Sequence, residues 1–165
     1  MKQTRWISVL LALAALGAFG LPAQCADDRD VLAGVKELKA VFDIREGDGR
    51  TLLNRLMVID ETRESLLAQG VQPRFVLTFR GPATRLIQTD AAKIRPEDRE
   101  VAAVIATKLD EMRDSKGMEG IELCEVAIRG QGTKVRDVIP AVKVVGNTFT
   151  SLMAYQARGF AYISP

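Results

Sequence analysis

Cys124 is the strongest nucleophile in the chain that sits where chemistry gathers. A thiolate, not a thiol, is the reactive form, and a nearby cation or helix N-terminus lowers its pKa. The residue lies late in an apolar run over 121–126, with Gly130-Gln131-Gly132 just beyond it. A helical turn starting at Glu125 would aim its positive end at the sulfur, while Glu122 and Glu125 would oppose thiolate formation. The competing reading is a strand cysteine that packs as a small hydrophobe.

A second group of residues could hold an anion. Arg80-Gly81-Pro82-Ala83-Thr84-Arg85 combines two guanidinium groups, a hydroxyl, and a glycine that lets backbone amides approach. Arg80, Gly81 and Thr84 are its candidate binding residues, and Asn147 joins them from a later loop. The alternative is a polar surface loop with solvated arginines. Gly130-x-Gly132 is a lone glycine pair and weak evidence for a nucleotide site. Gln156 extends a stripe of Phe149, Leu152 and Met153, which predicts an inward-facing amide that needs hydrogen-bond partners.

Absences narrow the chemistry further. The 165-residue chain contains no histidine, which removes Ser-His-Asp and Cys-His catalysis and any imidazole metal site. Its two cysteines, Cys25 and Cys124, make neither a disulfide framework nor a cysteine-rich zinc site, and no metal or cofactor is expected. Of the 23 Lys and Arg residues, Lys2 and Arg5 fall in the N-terminal segment, leaving 21 against 21 Asp and Glu. That balance argues against a nucleic-acid partner, which calls for a basic excess.

The elements that must position these residues alternate in type. Residues 35–44 alternate along their length, with Leu38, Ala40, Phe42 and Ile44 on one side and Glu37, Lys39, Val41 and Asp43 on the other. This is the pattern of a strand with one better-buried face. Asp48 is a plausible cap for a helix over 51–69, with Leu52, Leu53, Leu56, Met57, Leu66 and Leu67 inside and Gly70 as its stop. Residues 75–79 read as a strand covered on both faces. Pro96 opens a helix carrying Val101, Val104, Ile105, Leu109 and Met112. Strands follow at 121–126 and 141–145, one or two helical turns at 133–139, a helix capped by Asn147 or Thr148, and a last strand at 160–163. Strands separated by helices imply parallel pairing. The expected fold is α/β: an open, mainly parallel five-stranded sheet with helices on both faces, flavodoxin-like in outline. In such sheets sites collect at the carboxyl ends of the strands, and that rule singles out residues 46–48, Arg80 to Thr84, Cys124, and Gly146 with Asn147.

The N-terminus has the order of an export signal. Lys2 and Arg5 precede an apolar run over 6–21, Gly20 and Pro22 break it, and small residues follow at 23–26. Residues 1–25 are read as a cleavable signal peptide, 26–34 as a tether and 35–165 as the domain. Cleavage after Cys25 or after Ala23 decides whether Cys124 is the only thiol left. A retained anchor is the alternative, but the apolar run is shorter than the ~20 residues a span needs. A lipoprotein is a third reading, opposed by the bulk of Gln24. The expected location is periplasmic or secreted, with no membrane association after cleavage.

From residue 75 onward the chain resembles the DsrE/DsrF-like proteins, in particular their exported branch. The resemblance rests on the strand leading into Arg80-Gly81-Pro82-Ala83, on Gly120-Ile121-Glu122-Leu123-Cys124 followed by Gly130, and on the tail from Val142-Lys143-Val144-Val145 to Gln156-Ala157-Arg158-Gly159-Phe160-Ala161-Tyr162-Ile163. It implies a compact α/β domain in homo-oligomers, trimers or hexamers. It also implies that Cys124 carries sulfur as a persulfide, exchanged with donor and acceptor proteins. Relay members of the family act in the cytoplasm, whereas this chain carries an export signal. Two functions are therefore expected to compete. One is an exported sulfur carrier, with Arg80 steering an anionic sulfur species. The other is a non-catalytic small-anion-binding or oligomeric interaction module with a structural cysteine.

Overall fold

The computed structural model describes residues 28–165. The expected signal peptide, both cleavage points and Cys25 lie outside the described residues. Residues 29–34 form hydrogen-bonded turns, and Leu32 and Val35 pack against the core.

Five strands form one all-parallel sheet in the order β4-β3-β2-β1-β5. They are β1 (Glu37–Ile44), β2 (Gln72–Phe79), β3 (Met118–Cys124), β4 (Lys143–Val145) and β5 (Ala161–Ile163). Four helices connect or flank them: α1 (Gly49–Ala68), α2 (Arg99–Arg113), α3 (Glu125–Gly130) and α4 (Thr148–Ala157). The expected α/β class is therefore present. The strand order is not the 2-1-3-4-5 of flavodoxins, because β1 to β4 march in one direction and the chain then returns to lay β5 beside β1. The order reverses between β1 and β5, and that is the topological switch point.

Right-handed crossovers put α1 and α2 on one face and send the returning α4 to the other. On the α1/α2 face Ile44, Leu77, Phe79 and Leu123 meet Leu52, Leu56, Ile105, Leu109 and Met112, all with no exposure. Full burial of such a side chain stabilises by roughly 1.5–3 kcal/mol. Asp48 caps α1 as expected, its carboxylate accepting from the Thr51 amide at 2.8 Å. Two expected core residues, Met57 and Val104, are instead half exposed on the outer sides of α1 and α2. Asp60, Arg63 and Lys108 bind those helices together, with Asp60 accepting from Arg63 Nε at 2.7 Å and Lys108 Nζ at 2.6 Å.

The other face is thinner. Only Leu152 of α4 is buried with Val41, Val76 and Phe160, and Tyr155 packs alongside. Phe149 and Met153 were expected inside, yet they are 53% and 64% exposed. Gln156 is also exposed, its amide donating to Leu152 O at 3.1 Å. The cause is rotational: α4 turns Leu152 and Tyr155 toward the sheet, so the Phe149–Met153–Gln156 stripe faces outward. The third strand stops at Cys124, and Val126, expected on the strand, belongs to α3.

Candidate functional site

The register of the sheet brings the site together. Asp43 pairs with Thr78, and Thr78 with Glu122, so three polar side chains lie in a row across β1, β2 and β3. Their neighbours Ile44, Phe79 and Leu123 point into the aliphatic core, which turns this row to the α4 face. Two residues further along, β2 delivers Arg80 and β3 delivers Cys124 at the same carboxyl edge. Gly81 then turns the chain with φ of +56°, a conformation that favours glycine. Gly47, in the β1–α1 loop, lies so close to Pro82 that a Cβ there would come within 2.6 Å of the proline Cβ. The two loops are therefore locked edge to edge.

Cys124 ends β3 and immediately precedes α3, the placement that would favour a thiolate. It is only 5% exposed, but it lines a small pocket of about 190 Å³ with Arg80, Gly81, Val126, Ala127, Asn147, Thr148 and Phe149. Burial alone pushes the Cys124 thiol up. The amides of Thr148, Ala127 and Val126 and the hydroxyl of Thr148 outweigh it, so the net direction is down. The Thr148 Oγ1 atom is fully buried and has no conventional hydrogen-bond partner. Thr148 is among the residues lining the pocket, and its hydroxyl acts on the Cys124 sulfur. The acidic neighbours are tied elsewhere: Glu122 accepts from Tyr155 Oη at 2.9 Å, and Glu125 lies 3.8 Å from Arg129. Burial, followed by the Glu122 hydrogen bond, pushes the Tyr155 phenol up to about 12.

Cys124, Arg80, Gly81 and Asn147 thus share one pocket, while Thr84 stands apart from it. The Arg80 fork is occupied, Nε and Nη2 each donating to Asp43 at 2.7 Å. Its guanidinium also lies 4.8 Å from the Phe149 ring centre. Asn147 uses its side-chain oxygen to cap α4, accepting from the Phe149 amide at 2.9 Å. Thr84 Oγ1 lies 2.8 Å from Gly81 O and 2.9 Å from Gln131 Oε1, and donates its proton to one of them. Gln131 Nε2 donates to Gly81 O at 3.0 Å, so the Gly130-Gln131-Gly132 turn braces the Arg80 loop. The Nε–Nη2 edge of Arg80, the side-chain oxygen of Asn147 and the Thr84 hydroxyl are therefore engaged within the protein. The anion that the remaining backbone amides favour is the Cys124 thiolate itself.

A larger open crevice of about 870 Å³ adjoins this pocket through Arg80. Asp43, Arg45, Glu46, Arg55 and Pro82 are among its walls, at the carboxyl end of β1 and beside the β1/β5 switch point. Arg55 pairs with Glu46 at 3.2 Å. Asp43 has no side-chain exposure and accepts from Arg80 and, at 2.7 Å, from Tyr162 Oη. Burial pushes its carboxyl up, but the Arg80 and Tyr162 hydrogen bonds prevail and hold it below the usual carboxylate range.

An uncharacterised protein of Aquifex aeolicus is 31% identical over 127 residues, a match covering 76% of this chain and 55% of that protein. The chain spans about half the length of that curated relative. A solved structure of a protein of unknown function from Methanobacterium thermoautotrophicum matches with a TM-score of 0.51. It is 18% identical, and the match covers 79% of this chain and 99% of that one. Its likeness is one of fold. No family model matches the chain.

Of the residues nominated from the sequence, Cys124, Arg80, Gly81 and Asn147 meet in one pocket, and Thr148, Phe149, Asp43 and Tyr162 beside them were not nominated. Thr148 was visible only as an alternative helix cap. Because Asn147 takes that role, the Thr148 hydroxyl is left without a capping bond. Strand alternation puts Asp43 only on the less buried side of β1, and its partners depend on strand order.

Proposed function

We propose that the chain is an exported sulfane-sulfur carrier of the DsrE/DsrF-like kind, with Cys124 as the working group. The observation that carries this reading is the Cys124 environment: a thiol whose pKa is lowered by three amides and the Thr148 hydroxyl, beside a small pocket. A purely structural cysteine needs neither feature. The charged, apolar and small-residue order of the first 25 residues supports export. The exposed Phe149, Met153 and Val126 support assembly into a homo-oligomer through the α4 face.

In the proposed step the Cys124 thiolate attacks the outer sulfur of a donor persulfide, R–S–SH. A new S–S bond forms at Cys124, the donor's S–S bond breaks, and R–S⁻ leaves with the electron pair. An acceptor thiolate then attacks the outer sulfur of the Cys124 persulfide. The sulfur moves on and the Cys124 thiolate returns, so no external oxidant or reductant is needed.

Purified mature protein incubated with polysulfide should gain about 32 daltons, one sulfur atom, by intact mass. The Cys124→Ser variant should gain nothing. Absence of the adduct, together with a folded protein inert to alkylation, rejects the proposal and leaves a non-catalytic interaction module.

A further inference from the structure

From the pairing of Arg80 we infer that Asp43 is a specificity-determining residue, which makes the Cys124 pocket refuse hydrated oxyanions and admit soft, weakly hydrated sulfur chains. The inference deepens the sulfur-carrier reading and rests on it.

Three observations carry it. First, Arg80 is the only cationic side chain among the described residues that line the pocket, and its Nε and Nη2 both donate to Asp43. Asp43 is buried, held from its other side by Tyr162 and approached by the more exposed Arg45 at 3.9 Å, so Arg80 is fixed at the pocket wall with a carboxylate offsetting its charge. Second, the side-chain oxygen of Asn147 caps α4, and the Thr84 hydroxyl is spent on Gly81 O or Gln131 Oε1 outside the pocket. Third, Val126, Ala127 and Phe149 supply an apolar lining. Thr148, whose buried hydroxyl has no conventional partner, is part of the same lining.

A sulfate, sulfite or thiosulfate group entering such a pocket would lose its hydration and meet an arginine whose Nε–Nη2 edge is taken and whose charge is offset by Asp43. A sulfur chain carries little hydration and is polarisable, so it loses little on entering an apolar wall. The substrate class that fits is an organic persulfide or polysulfane. Asp43 takes the Nε–Nη2 edge of Arg80 and offsets its charge, which weakens the pull of Arg80 on an oxyanion.

The test compares alkylation of Cys124 by iodoacetate, which is anionic, with iodoacetamide, which is neutral and of similar size. Taking the ratio of the two rates cancels the nucleophilicity of the thiolate. Wild-type protein should favour the neutral reagent. Asp43→Asn uncovers one positive charge at the pocket wall and should raise the iodoacetate-to-iodoacetamide ratio ~3–10-fold. The double variant Asp43→Asn/Arg80→Gln should return it to the wild-type value. A ratio in folded Asp43→Asn that stays within roughly twofold of wild type overturns the inference. Should Asp43→Asn not fold, the wild-type protein decides alone. Millimolar thiosulfate or sulfite should slow iodoacetamide labelling by less than about twofold, and protection of about tenfold overturns the inference. A folded wild-type Cys124 inert to iodoacetamide sinks the sulfur-carrier reading as well. A reactive Cys124 with an unchanged ratio sinks only this inference.

Discussion

The two faces of the sheet use the same strands for opposite purposes. Under α1 and α2 the alternate residues of β1, β2 and β3 are Ile44, Phe79 and Leu123, sealed among aliphatic side chains. One residue away on the opposite face, the same strands offer Asp43, Thr78 and Glu122, then Arg80 and Cys124. A two-residue period lets one sheet carry a dry core on one side and a polar site on the other. The α4 face can be polar because its groups are paired: Thr78 with Phe42 O, Asp43 with Arg80 and Tyr162, and one oxygen of Glu122 with Tyr155. The difference teaches where stability and reactivity reside. Changes under α1 and α2 should alter folding without altering the thiol, and some changes under α4 should do the reverse.

The largest effect is expected on the aliphatic face. Leu109 of α2 has no exposure and packs in the main core. Leu109→Ala removes that packing and leaves a cavity, at a cost of about 2–5 kcal/mol in urea unfolding. The pH dependence of Cys124 alkylation should stay unchanged in the protein that remains folded. A shifted profile would show that the faces are coupled rather than separate.

An intermediate effect belongs to the buried carboxylate of the polar face. The Asp43 carboxyl is held below its ordinary value when folded, so the folded state favours its ionised form. The stabilisation is fully present above the unfolded value, near 3.9, and is lost as pH falls through the lower folded value. Stability measured by urea should therefore decline as pH drops below about 4, and Asp43→Asn should make that acid limb shallower by up to about one proton. An acid limb of unchanged slope would assign the acid sensitivity to other depressed carboxylates, Asp60 among them.

How much of this contrast can be read from the residues alone follows from range. Alternation of strands and helices, the Asp48 cap and the end of β3 near Cys124 depend on neighbours in the chain, and they were legible. The outward turn of Phe149 and Met153 was not, because a ten-residue helix bearing apolar residues on several sides does not reveal which side meets the sheet. Asp43 was assigned only to the less buried side of its strand. Its pairing with Tyr162 requires β5 beside β1, a contact across 119 residues that no local pattern specifies.

The smallest expected change in stability gives the sharpest test of the comparison. Thr148 is fully buried, yet its hydroxyl has no conventional partner, and Asn147 supplies the cap of α4. A structural threonine would be using its oxygen. Thr148→Val keeps the shape and removes an oxygen that makes no conventional bond, so unfolding should change by less than about 1 kcal/mol, with a gain as acceptable as a loss. Reactivity should respond in the other direction. The hydroxyl is one of the groups that lower the Cys124 pKa, so its loss should move the midpoint of the alkylation-versus-pH curve upward and slow labelling at neutral pH. Thr148→Ser should restore both. If Thr148→Val instead costs about 2 kcal/mol or more and leaves the midpoint in place, the hydroxyl belongs to the fold. The thiol then loses one of the influences that set it apart from an ordinary buried cysteine.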